Sequence, residues 1–219
     1  MRVFVIESPN PIDLLCDRAE HQCIEKIGKL MGHQVVTILV KSEEEFKTAI
    51  SYISTINEEH DDTGKNEITL CIHISAHGNN QGLQFGMDFV DWIDIVEDMK
   101  PLLEKTFNYS GKKILVLSAC GANNQKITNE IEKKNIKRDI TPLDYVFAID
   151  QDEVQWNDAV LAWTILYHQF AEKDLTKVWV MDVLKRTKHS NFATIRYQRW
   201  EEKDNKYKRF IPGKPVLKK

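Results

Sequence analysis

No stretch of this 219-residue chain approaches the roughly 20 consecutive apolar residues that a membrane-spanning helix requires. The opening segment, MRVFVIESPNP, is apolar for only a few residues before it meets Glu7. It lacks the apolar region of about 7–15 residues that marks a secretory leader. Cysteine is sparse: Cys16, Cys23, Cys71 and Cys120 are far apart, and a chain of this size needs no disulfide staples. Reduced thiols in a cytoplasm are therefore expected. A dominant charge sign is also missing. The formal net charge of -3 gives no pull toward nucleic acid or an anionic membrane, and neither is expected as a direct partner. No Gly/Ser/Pro-rich linker divides the chain and no segment repeats. One domain over residues 1–200 is expected, followed by a basic, loosely ordered and solvated tail, 201–219. No glycine-rich, phosphate-cradling loop follows the first apolar run, where ESPNP stands instead. That argues against a nucleotide-binding or flavodoxin-like receiver domain.

What is present is a regular alternation. MRVFVI, QVVTILV, EITLCIHIS, KKILVLS, DYVFAI and FATIRYQRW read as strands. Between them lie helical patterns. One covers 13–34, with Leu15, Ala19, Cys23, Ile27 and Leu30 at helical spacing and Gly32 as a stop. Another is SEEEFKTAISYIS, which opens on a capping serine and an acidic first turn. A third spans 89–107, where Pro101 is expected to kink or divide it. Two more are WNDAVLAWTILYHQFAEK and TKVWVMDVLKRTK. Near-continuous Val/Ile/Leu runs alternating with amphipathic helices predict an α/β fold with a mainly parallel sheet of about six strands, covered on both faces. The Trp163, Tyr167 and Phe170 stripe has helical spacing and reads as core, as does Cys71.

Two strands end alike. The third runs into Ala76-His77-Gly78 and the fourth into Ala119-Cys120-Gly121. In a parallel sheet all strand C-termini share one edge, and ligands bind in the crevice outside it. If the two strands are neighbours, imidazole and thiol reach one crevice. A free thiol has a pKa of about 8.5, so a nearby imidazole is what makes it a nucleophile at neutral pH. Glycine after each lets the backbone turn sharply and approach a substrate. His73 and His77 sit too far apart along a strand to share a metal ion, and no other clustered ligands complete a site.

These residues resemble the caspase-like cysteine peptidases, and more closely their prokaryotic, CHAT-type branch. ISAHGN is similar to that branch's histidine motif and LVLSACGA to its cysteine motif. GLQFGMDFVDWIDI resembles the hairpin that follows the histidine. VFAIDQDEVQWNDAVLAWTILYHQF resembles the later strand, substrate-binding loop and helix. The resemblance implies a caspase-like three-layer α/β/α sandwich and a dyad endopeptidase that uses no metal or other cofactor. His77 would be the general base and acid and Cys120 the nucleophile, with the backbone N–H groups of Gly78 and Cys120 as oxyanion hole. Ser118 stands two before the cysteine, where caspases carry glutamine and metacaspases aspartate. Neither aspartate nor basic-residue specificity therefore carries over. Ser118, Asp150, Asp152, Glu153 and Trp156 are the candidates for substrate contact; a solvated acidic loop and a helix-capping tryptophan are the plain alternatives for the last four. The implied partners are a protein substrate and a separate regulatory or sensor protein, in a bacterial defence or programmed-death system. Residues 57–67 and 133–141 are candidate nick sites. The competing functional expectation is a catalytically silent interaction or regulatory module on the same fold.

Overall fold

The apolar runs stack side by side because each is buried on both faces and needs a hydrogen-bonded neighbour for its backbone. The computed structural model describes residues 1–56, 68–107, 109–122, 126–136, 140–172, 175–190 and 192–210. Its strands are β1 (Arg2–Ser8), β2 (Gln34–Leu39), β3 (Leu70–Gly78), β4 (Gly82–Phe85), β5 (Asp88–Asp91), β6 (Lys113–Ser118), β7 (Tyr145–Ile149), β8 (Ile195–Glu201) and β9 (Lys206–Phe210). The sheet runs β2-β1-β3-β6-β7-β8-β9. The strands from β2 to β7 in that order are parallel, whereas β8 and β9 are antiparallel. β4 and β5 form a hairpin hung from the end of β3. The fold is thus α/β with a mixed, mostly parallel sheet, wider than the six strands expected.

Alternating residues of each strand feed two separate cores. Ile72 and Ile74 of β3, Leu115 and Leu117 of β6, and Val146 of β7 pack with helices α3 (Glu43–Ile53), α4 (Trp92–Asp98), α5 (Lys100–Leu103) and α6 (Lys126–Ile136). Val3 and Val5 of β1, Cys71 of β3, Ile114 and Val116 of β6, and Phe147 of β7 pack on the other face. Their partners there are α2 (Glu20–Leu30), α7 (Trp156–Glu172) and α8 (Lys177–His189). Trp163, Tyr167 and Phe170 lie in this second core.

Several expectations need correction. The single helix expected over 13–34 is two: α1 (Pro11–Leu15) and α2, parted by a turn in which Asp17 takes a positive φ of 55°. The break rotates the stripe, so Leu15 and Leu30 are 82% and 86% exposed and Ile24 and Gly28 are buried instead. Helix 89–107 is also divided: its first residues belong to β5, and Pro101 sits in the first turn of α5, where its missing N–H costs no intrahelical bond. The expected tail begins with structure: β9 pairs with β8, and Tyr207 and Phe210 are buried. Of the candidate nick sites, 57–67 and 137–139 lie outside the described residues, and Lys133–Ile136 is helical. Among the described residues no helix is long and apolar enough to cross a membrane.

Lys113 opens β6 with its ammonium buried beside the carbonyls of Leu102 and Thr141, at 3.4 and 3.3 Å. Burial pushes its pKa down to about 8, only partly opposed by the charge of Asp144. Between that value and the unfolded one of about 10.4, the unfolded chain holds a proton that the folded chain has released, so stability rises with pH across this window. Lys113→Met is expected to stabilise the protein at pH 7 by on the order of 2 kcal/mol. The gain shrinks toward pH 10, which urea unfolding at the two pH values will measure.

Candidate active site

The register of β3 and β6 decides where the histidine and the cysteine meet. Ser75 of β3 pairs directly with Ser118 of β6. His77 lies two positions beyond that pair within β3, on the parity that faces α2, α7 and α8, and Cys120 lies two positions beyond it, just past the end of β6. His77 does not follow its strand, as expected, but lies within it, paired with Gln84 of β4. The two tips are in contact. A Cβ on Gly78 would sit 3.3 Å from the Cβ of Ala119. Gly121 adopts a φ of +66°, and a Cβ there would lie 2.6 Å from the backbone carbon of Asn79. Only glycine fits that close approach in that conformation.

A pocket of about 110 Å³ opens between the tips. His77, Cys120, Ser118, Trp156, Glu7 and Glu20 are among the residues that line it. Cys120 is partly exposed. Trp156 forms a wall, and its indole N–H is buried without a partner among the described residues. Asp150, Asp152 and Glu153 do not line the pocket. Asp150 instead accepts a hydrogen bond from the Arg196 guanidinium at 2.6 Å, both side chains being largely buried, while Asp152 and Glu153 are exposed.

The acidic groups at the pocket come from elsewhere. Glu7, the last residue but one of β1, caps α2, accepting from the backbone N–H of Glu20 at 2.7 Å and of His21 at 2.9 Å. Glu20 begins α2, and its carboxylate is the meeting point of a buried polar network. It accepts from the Ser118 hydroxyl at 2.6 Å and from His73 Nε2 at 3.0 Å. Ser118 in turn accepts from the Trp163 indole at 2.8 Å, and His73 Nδ1 meets the Tyr167 hydroxyl at 2.7 Å. The Tyr167 hydroxyl also lies 3.7 Å from Cys71 Sγ, and burial pushes the Cys71 thiol up to about 12. Cys71 is thus held protonated at neutral pH, and Ser118, though it lines the pocket, gives its hydroxyl hydrogen to Glu20.

His77 is held from outside. Its Nε2 lies 2.7 Å from Asp13 Oδ2 and 2.9 Å from Asn10 Nδ2. Those two residues form the reciprocal capping box of α1: the Asp13 N–H donates to Asn10 Oδ1 at 2.8 Å, and the Asn10 N–H donates to Asp13 Oδ2 at 3.2 Å. The box fixes the Asn10 amide, because its oxygen is already engaged and its nitrogen must face the imidazole. Sequence reasoning missed Asn10, Asp13, Glu7 and Glu20; the N-x-x-D spacing before a short apolar run was the available signal for the first two. The arrangement suits acyl transfer: a thiol and an imidazole on one pocket, with one imidazole nitrogen tied to a carboxylate. No protein-family model matches the chain, and no curated protein matches it either.

Proposed function

We propose that this chain is a cysteine endopeptidase with a caspase-like three-layer α/β/α architecture. The observation that carries it is the equal overhang of His77 and Cys120 beyond the paired Ser75 and Ser118, at one pocket. The strand order, with parallel strands closed by an antiparallel β8, and the hairpin directly after the histidine both agree with that architecture. His77 takes the Cys120 thiol proton as the sulfur attacks a peptide carbonyl carbon. The C–N bond then breaks, the proton passes to the leaving amine, and a thioester remains on Cys120. Water hydrolyses that thioester, with His77 again as base, and restores the thiol. The N–H groups of Gly78 and Cys120 are the proposed donors to the oxyanion. The substrate is a protein, and a separate sensor or regulator controls access in a reducing cytoplasm.

The test uses a second thiol as an internal standard. Cys16 is more exposed than Cys120, so simple accessibility favours Cys16. A peptidyl chloromethyl ketone at neutral pH is expected to alkylate Cys120 faster than Cys16, and His77→Ala is expected to remove that preference. Peptide mapping by mass spectrometry reads both sites. Faster labelling at Cys16 in the unmodified chain points to the silent interaction module instead.

A further inference from the structure

On the assignment of Cys120 as nucleophile and His77 as base, we infer that Asp13 is a positioning residue. It sets which nitrogen of His77 carries the proton, in opposition to Asn10. Both contact the same atom, Nε2, at 2.7 and 2.9 Å. A neutral imidazole has one N–H and one bare nitrogen. Asp13 is an acceptor there, so it stabilises the tautomer with the proton on Nε2. The Asn10 amide presents its NH₂, because its oxygen is held by the Asp13 N–H at 2.8 Å. It is a donor, so it stabilises the opposite tautomer, with Nε2 bare and the proton on Nδ1.

The two tautomers are not equivalent for chemistry. With Nε2 engaged by α1, Nδ1 is the nitrogen left to exchange a proton with the Cys120 thiol. Only the tautomer favoured by Asp13 leaves Nδ1 bare and able to accept. When Nδ1 takes the thiol proton, the ring becomes an imidazolium, and its Nε2–H still donates to the Asp13 carboxylate. The Asn10 donor then faces a second donor and gains nothing. A charge-assisted bond to a carboxylate is stronger than one from a neutral amide, so Asp13 prevails in the intact protein. Asp13 is also the more protected partner: its side chain is 17% exposed and that of His77 is 58%.

The placement differs from the motif-bearing strands. His77 and Cys120 lie on the sheet, while Asp13 sits on a five-residue surface helix none of whose residues is buried. Changes at this helix therefore act locally, and their effects separate from loss of fold.

The experiment is ¹⁵N NMR of the His77 ring together with the rate of Cys120 alkylation by the peptidyl chloromethyl ketone, in the full chain. The unmodified protein is expected to carry the His77 proton on Nε2. Asp13→Ala is expected to move it to Nδ1 and to slow alkylation by on the order of 10²–10³-fold, as expected for a base locked in its wrong tautomer. Asn10→Ser, combined with Asp13→Ala, removes the opposing donor while keeping a good helix cap. It is expected to return part of the Nε2–H population and to recover alkylation several-fold over Asp13→Ala alone. A proton already on Nδ1 in the unmodified protein overturns the inference, as does an Asp13→Ala chain whose tautomer is unchanged even if its alkylation slows. The tautomer is read whether or not the protein cleaves peptides. Failure of the catalytic assignment would appear separately, as faster alkylation at Cys16 than at Cys120.

Discussion

Cys120→Ala is expected to lower peptide cleavage by at least about 10³-fold while leaving the unfolding free energy within about 1 kcal/mol of the parent. The size follows from the proposed chemistry: there the sulfur is the atom to be acylated, and the methyl group of alanine offers no route to a thioester. The small stability effect follows from position, because Cys120 is only partly buried and lies past the last residue of β6. His77→Ala is expected to be less severe, since a cysteine retains a small thiolate fraction at pH 7 without any base. A proteome-derived peptide library, read by mass spectrometry for new N-termini, measures both. The same library reports what the pocket prefers: Glu7, Glu20 and Asp13 line it against one guanidinium, Arg18, so acidic side chains should be the poorest at the residue before the cut. Unchanged cleavage in Cys120→Ala would remove the peptidase assignment altogether.

Glu20→Ala is the change expected to damage the fold most. The residue is 4% exposed, and its two carboxylate oxygens accept from Ser118 and His73, themselves 4% and 0% exposed. Alanine leaves both of those largely buried donors without their acceptor. Leaving a buried donor unsatisfied costs about 1–3 kcal/mol, and two are left here. Against a total stability of about 5–15 kcal/mol, that is enough to leave the chain marginal at 37 °C. Glu20→Gln keeps one acceptor oxygen and is expected to cost about 1–3 kcal/mol, because its NH₂ then opposes one of the two donors. Urea unfolding monitored by tryptophan fluorescence is a direct readout, since Trp163 donates into the same network through Ser118. Equal midpoints for Glu20→Ala and the parent would mean that the network contributes nothing net.

The sheet was legible because strands buried on both faces are written as unbroken Val, Ile and Leu runs, and KILVLS of β6 is the clearest of them. The meeting of His77 and Cys120 was legible because two parallel neighbours finish on the same rim. Less of the surrounding site could be read. Asp13 and His77 are 64 positions apart, and no local pattern announces their contact. Glu7 and Glu20 look like an ordinary strand end and an ordinary helix start; only folding turns them inward. The expected acidic loop drew attention to Asp150, whose real partner, Arg196, comes from an antiparallel strand 46 positions later. β9 was hidden by its lysines: in KYKRF only Tyr207 and Phe210 turn inward, which breaks the simple alternation of an edge strand.

The chain of contacts from Cys71 through Tyr167 and His73 to Glu20 has a kinetic consequence. His73 is 0% exposed and Tyr167 2%, on the face covered by α7. Their hydroxyl and ring hydrogens can reach deuterium only when β3 and α7 separate, an opening that draws on the stability of the whole core. Motion of the His77 and Cys120 tips leaves them untouched. The molecule thus carries two independent clocks, a fast one at its rim and a slow one beneath the floor of the pocket.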